Sequence, residues 1–211
     1  MVREAAEAGA ILELLAVREG DRFDAPAERT VVLAERVFNA LSQTVTPQGV
    51  MAVARVRERS FAEALAAARA AGWPLVVLDG VQDPGNVGAV CRTAAAAGAP
   101  ALAVMAGSAD PFGPKAVRAS AGNVFRLLVA RADAADLDGL RAYGAAATGG
   151  VALAASRVEE AEALVLGSEA HGLSRPDLEL VTIPVAAGVE SLNVAAAAAV
   201  LLFEVGRRKS Q

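Results

Sequence analysis

Asn86 and Arg92 stand six residues apart in a run that opens Asp83-Pro84-Gly85 and continues as a helix-forming stretch. A helix that starts after a Pro-Gly turn leaves backbone N–H groups unpaired in its first turn. An arginine within two turns adds a planar cation suited to phosphate. An asparagine cap and a surface arginine are the alternative reading. A second polar island, Gly167-Ser168-Glu169-Ala170-His171-Gly172, follows the apolar run Leu164-Val165-Leu166. Its glycines allow close approach of backbone to a ligand. A third, Glu190-Ser191-Leu192-Asn193, leads into an alanine-rich stretch. There Ser191 or Asn193 could simply cap a helix, with Glu190 near its positive end.

Several chemistries are disfavoured. No Gly-x-Gly-x-x-Gly opens the first strand–helix unit, which weakens a nicotinamide reading. Gly-x-Ser-x-Gly is absent and His171 is the single histidine, with no acid partner evident nearby, so a serine hydrolase lacks its parts. One cysteine, Cys91, rules out an intrachain disulfide framework, and with one histidine no zinc or other metal centre is expected.

Each island sits where an apolar strand-like run meets a helix-like run, the place where open α/β sheets bind ligands. Residues 3–15 show helical spacing, 30–33 read as a strand, 34–41 as a helix and 48–56 as a strand. This opening unit, residues 1–59, reads as a partial α/β domain, because no strand precedes its first helix. Residues 60–73 read as a helical linker stopped at Gly72. From 74 to 211 strands and helices alternate. Strands are expected at 75–78, 101–105, 124–129, within 145–154, at 164–166 and at 181–183. Helices are expected at 86–97, 114–119, 134–143 and 191–205. Short, nearly continuous apolar strands between helices imply an α/β fold with a mostly parallel sheet covered on both faces.

The chain has 211 residues, 55% of them hydrophobic, enough for a large core in one or two domains. The longest uncharged run, 93–109, is broken by Gly98, Pro100 and Gly107, so no membrane span is expected. No charged segment followed by an apolar one opens the chain, and a cytoplasmic protein is expected. The net charge of −4 argues mildly against a nonspecific nucleic-acid binder. Positive charge is nonetheless grouped at Arg55, Arg57 and Arg59, at Lys115, Arg118 and Arg126, and at Arg207, Arg208 and Lys209. Solvated faces are the plain alternative for these groups.

Taken in order, the islands resemble the SpoU (TrmH-like) family of RNA ribose 2'-O-methyltransferases. The matching residues are Asn86-x-Gly88-x-x-x-Arg92, Leu166-Gly167-Ser168-Glu169-x-x-Gly172-Leu173, and Ile183-Pro184 with Glu190-Ser191-Leu192-Asn193-Val194. Lys115 to Gly122 is similar to the connector of that family, and the match spans about residues 75–203. The opening segment, with 41–50, is similar to the substrate-binding domain many members carry, without its usual first strand. The resemblance implies a Rossmann-like, mostly parallel sheet with a C-terminal trefoil knot, a SPOUT fold, against the usual rule for chain threading. It implies a homodimer with the active site near the interface, S-adenosylmethionine as cofactor, no metal, and a ribosomal RNA substrate, 23S rRNA being favoured. It implies catalytic roles for Asn86, Arg92, Glu169, Ser191 and Asn193. It places Leu166, Gly167, Ile183 and Leu192, with Thr148 and Ala187, around the cofactor, and Lys115 and Arg118 on the RNA. A tRNA ribose methyltransferase and a catalytically silent RNA-binding or assembly module are the alternatives, with a nicotinamide dehydrogenase behind them.

Overall fold

A computed structural model describes residues 1–42, 44, 46–57, 59–168 and 171–210, and these divide into two compact units, Met1–Arg57 and Glu58–Gln211. The first unit contains α1 (Val2–Glu7), β1 (Leu12–Arg18), β2 (Thr30–Leu33), α2 (Glu35–Leu41) and β3 (Val50–Ala54). β1 is the central strand, parallel to β2 and antiparallel to β3. For residues 3–15 the sequence predicts helix alone. The helix stops at Glu7, and Leu12, Leu15, Ala16 and Val17 are buried with Phe38 of α2. Apolar residues at 12, 15, 16 and 17 fit either period, and strand partners on both sides decided the matter. So a strand follows α1 within the stretch expected to be helical. Arg55 ties the sheet's rim together by bonding Glu13 at 2.8 Å and Glu28 at 3.1 Å.

The second unit opens with α3 (Phe61–Ala70), which starts in a capping box between Ser60 and Glu63. Residues 60–73 had been read as a linker. Ala64, Leu65 and Ala68 of α3 are instead buried in one cluster with Leu75, Val77, Ala101, Ala103 and Val165. The helix therefore covers one face of the sheet.

That sheet holds β4 (Leu75–Asp79), β5 (Ala101–Met105), β6 (Leu128–Ala132), β7 (Ala142–Ala145), β8 (Val151–Ala152), β9 (Ala163–Gly167) and β10 (Glu179–Thr182). Their order is β6-β5-β4-β9-β7-β10-β8, and every pairing is parallel. Side chains alternate by the two-residue strand period. Leu75 and Val77 face α3, while Val76 and Leu78 join the cluster formed with α4 (Pro84–Ala97), α5 (Pro114–Ala119) and α6 (Val194–Lys209). Helices on both faces are the reason β4, β5 and β9 read as unbroken apolar runs. The architecture is the expected α/β fold.

Two expected elements fail. Residues 134–143 form a 3-10 turn, Ala134–Leu137, and then β7. Gly139 at φ +75 breaks the helical path, and Ala142, Tyr143 and Gly144 are taken into the slot between β9 and β10. Alanine's helix propensity is a weak preference beside two strand partners. Residues 124–126 belong to a 3-10 turn, Asn123–Arg126, and the strand begins at Leu128.

β10 lies between β7 and β8, which are themselves joined by residues 146–150. Val181 pairs with Ala145 on one side and Val151 on the other. The chain thus passes between strands that a short connection already links, as the knotted fold requires and as ordinary domains avoid. Gly150 permits this crossing. A Cβ there would lie 2.7 Å from the Leu180 carbonyl carbon and oxygen, while its N–H donates to Thr182 Oγ1 at 3.1 Å. Beyond the crossing, Arg208 of α6 fastens the loop to the helix through the Leu153 and Ser156 carbonyls, Glu159 and Glu204. Among the described residues no helix is long and apolar enough to cross a membrane.

Candidate active site

The C-terminal ends of β7, β9 and β10, with the loops that follow them and the start of α6, enclose a cleft of about 590 Å³. Its volume is in the range of small-molecule and cofactor sites. Of the residues expected around a cofactor, Thr148, Leu166, Gly167, Ile183 and Leu192 line it. Ala187 does not: it lies on the exposed part of the 183–192 loop and forms none of the wall. Of the residues expected to be catalytic, Ser191 lines the cleft, whereas Asn86, Arg92 and Asn193 do not. Glu169 lies outside the described residues, as do Gln43 and Val45 of the opening segment.

Gly167 ends β9 because the chain must double back there. A Cβ at Gly167 would lie 2.5 Å from the Gly172 oxygen and 3.0 Å from the Leu173 nitrogen. Ser168 and Gly172 close the turn with two backbone bonds, of 3.0 and 2.8 Å, and Gly172 adopts φ +69. Leu173 then lies over Gly144, filling the place where a side chain at Gly144 would stand. Glycine at 167 is thus a packing requirement of the cleft's wall, because the atoms a side chain would meet there are backbone.

Around the cleft's far rim, α4 and α6 begin close together. Asp83 caps α4 by accepting from Gly85 N–H at 2.9 Å, and it also takes Lys115 Nζ at 2.9 Å. The Lys115 ammonium, and then the Gly85 N–H, hold the Asp83 carboxyl below its ordinary range. Asn193 is the cap of α6, its Oδ1 accepting from Ala195 and Ala196 N–H. Its Nδ2 donates to Asn86 Oδ1 at 3.1 Å. The choice left open between Ser191 and Asn193 as cap falls to Asn193, and Ser191 is left in the cleft wall. Gly88 brings α5 onto α4: a Cβ there would stand 2.2 Å from the Ala116 carbonyl oxygen.

Arg92 and Arg118 are exposed, and among the described residues neither has a hydrogen-bond or ion-pair partner. Both guanidiniums are therefore available to an anion. The remaining polar candidates are poor chemistry. Burial pushes the Cys91 thiol up to about 12, so it is not a nucleophile. His171 is exposed, and it is its backbone N–H that bonds Ser168 Oγ, at 3.3 Å.

Two residues of this region carry no role in the sequence reading. Arg175 borders the cleft but is bound by Asp177 and Asp138, bonding the Ala134 carbonyl as well. These bonds raise its pKa further and lower the Asp177 carboxyl to about 2. Its spacing to Asp177 was the available signal. Asp79 is buried at the end of β4 and accepts from Ser174 N–H at 2.6 Å. An acid closing an apolar strand was the signal there.

The walls are largely apolar, and among the described residues the charged side chains that line them are Arg175 and Glu190. Such a site suits a small ligand that is partly apolar and is oriented by a few polar groups.

The SpoU rRNA Methylase family model matches residues 74–203. The 23S rRNA (guanosine(2553)-2'-O)-methyltransferase RlmP of Bacillus subtilis is 34% identical, over 97% of this chain and 85% of that protein. The 23S rRNA (guanosine-2'-O-)-methyltransferase RlmB of Xanthomonas axonopodis is 37% identical, over 82% of this chain and 76% of its own length. Among solved structures, an AdoMet-bound rRNA methyltransferase from Sinorhizobium meliloti superposes with a TM-score of 0.82 at 28% identity, covering 98% of this chain and 84% of that one.

Proposed function

Because this chain belongs to the SpoU rRNA methylase family, we propose that it is an S-adenosylmethionine-dependent methyltransferase acting on a ribose 2'-hydroxyl of 23S ribosomal RNA. The observation that carries the reading is the cleft itself. Five residues expected at the cofactor meet there, at the strand ends and in the loops that follow them, and the fold is that of an AdoMet-bound relative. Relatives that align with both units of this chain are named for 23S rRNA, which favours that substrate over tRNA. Both methylate a guanosine, and a guanosine is the base proposed here.

S-adenosylmethionine, when bound, supplies a methyl group on a sulfonium, whose departure as a neutral thioether needs no metal. The chain's own residues hold the cofactor and the hydroxyl. Gly167, Leu166, Thr148, Ile183 and Leu192 receive the cofactor. Ser191 stands at the cleft wall, and the Asn86–Asn193 pair fixes the adjoining helix starts. Arg92 binds an RNA phosphate and orients the hydroxyl. A guanidinium stays protonated at neutral pH, so its part is positioning and charge rather than proton removal. Arg118 adds a second phosphate contact. Lys115 is engaged by Asp83 and reaches RNA only by exchanging that partner. Residues 1–59 serve as the RNA substrate-binding domain, and 74–211 form the catalytic domain, with α3 of the 60–73 segment packed on its sheet.

The enzyme is a cytoplasmic homodimer in this reading. Val200 and Phe203 of α6 are 42% and 55% exposed, and Val185, Val189 and Leu192 of the cofactor loop are exposed as well. Exposed apolar residues of this kind support a surface that a second copy covers. Mapping 2'-O-methyl groups in total RNA with and without the gene tests the function. Loss of one 23S site is expected, and an unchanged rRNA map with a lost tRNA site refutes the substrate.

A further inference from the structure

Asp79 is the one acidic side chain buried among the described residues, at 4% exposure. It ends β4 in direct register with Gly167 of β9. A buried carboxyl is costly unless its oxygens are bonded. Here Oδ2 accepts from the backbone N–H of Ser174 at 2.6 Å. Ser174 directly follows Leu173, and Leu173 and Gly172 both line the cleft. The segment leaving β9 is therefore held at two places. At Gly167 it is pressed against its own return, with Gly172 and Leu173 in contact range. At Ser174 it is pinned to the neighbouring strand.

Between these two places Leu173 is seated over Gly144 and packs on the apolar cluster beneath α3. The bond to Ser174 holds the residue that follows it. Asp79 itself is not part of the cleft wall, so it acts on a ligand only through this loop.

We propose that Asp79 is a positioning residue of the cofactor site, fixing Gly172 and Leu173 against the cleft through its bond to Ser174. The proposal rests on the cleft being the S-adenosylmethionine site.

The test compares wild type, Asp79→Ala and Asp79→Asn by calorimetry with S-adenosylhomocysteine, by steady-state methylation, and by amide exchange over residues 172–178. Asp79→Ala raises the dissociation constant at least tenfold and raises KM for the cofactor by a similar factor. Its kcat at saturating cofactor falls much less, and the Ser174 amide loses protection. Asp79→Asn keeps an acceptor oxygen and recovers most of the affinity and the protection. Asp79→Ser keeps a polar group but is too short to reach Ser174, and it matches the alanine variant should that one not fold. A role in folding alone lowers the urea midpoint and the active fraction while leaving the cofactor KM unmoved, and that result overturns the proposal. So does a dissociation constant within twofold of wild type in Asp79→Ala or Asp79→Ser. If wild type binds no S-adenosylhomocysteine, the cofactor reading itself is at fault, and the proposal falls with it.

Discussion

Replacing Gly167 by alanine tests the cleft at its tightest point. Gly167 is outside the positive-φ region, so alanine meets no backbone penalty and the effect is steric. The new Cβ would stand 2.5 Å from the Gly172 oxygen, 2.6 Å from its carbonyl carbon and 3.0 Å from the Leu173 nitrogen. All three are backbone atoms, so no side chain can swing aside. Ordinary contact begins at 3.4 Å, so the returning segment must retreat by roughly 0.9 Å. Forcing a methyl into such a contact costs about 1–3 kcal/mol. Retreat also strains the two Ser168–Gly172 bonds, each worth about 1 kcal/mol. Because Gly172 and Leu173 line the cleft, much of this cost appears in ligand affinity. Calorimetry with S-adenosylhomocysteine is expected to show a loss of roughly ten- to a hundredfold, and urea unfolding a lower midpoint. Affinity within twofold of wild type, with an unchanged midpoint, refutes the steric account of this loop.

Arg92→Ala should cut turnover by on the order of a hundredfold, about 3 kcal/mol, with cofactor affinity near normal, and Arg92→Lys should restore little, as a methylation assay on the matching RNA would show. Activity within twofold of wild type makes Arg92 a surface residue. Arg118→Ala should weaken RNA binding and lower the salt dependence of the binding constant by roughly one phosphate contact, read from filter binding across a salt series. Arg208→Ala removes the donors to two loop carbonyls and two carboxylates, and should lower stability by about 2 kcal/mol in urea titrations. Acid should weaken the same clamp. Arg207 and then Arg208 hold Glu204 at about 2, against an ordinary 4.5. A lowered carboxylate contributes above its ordinary value, and that contribution is lost as pH falls from about 4.5 towards 2. Glu204→Gln should flatten the decline of the urea midpoint over that window, and an equally steep decline refutes the clamp's role. Light scattering at micromolar concentration should give twice the chain mass, and a monomer that still methylates RNA excludes the dimer.

Asn86, Arg92, Gly167 and the run 190–194 could be picked out from the chain alone because polar residues and glycines interrupt apolar runs at strand ends. A parallel sheet buried on both faces leaves little room for such interruptions elsewhere. The same burial made β4, β5 and β9 legible, since each is a short apolar run bounded by turn residues. Local pattern could not fix β1 or β7. Their residues suit a helix nearly as well, and only partners distant in sequence, β2 and β3 for one and β9 and β10 for the other, made them strands. Nor could it show why glycine stands at 88, 144 and 150. A missing Cβ carries meaning only against the atoms it would meet, and those come from α5, from Leu173 and from β10. Asp79 belongs with these. Its type and place at a strand end were visible, but its bond to Ser174, 95 residues on, exists only once β4 and β9 lie side by side.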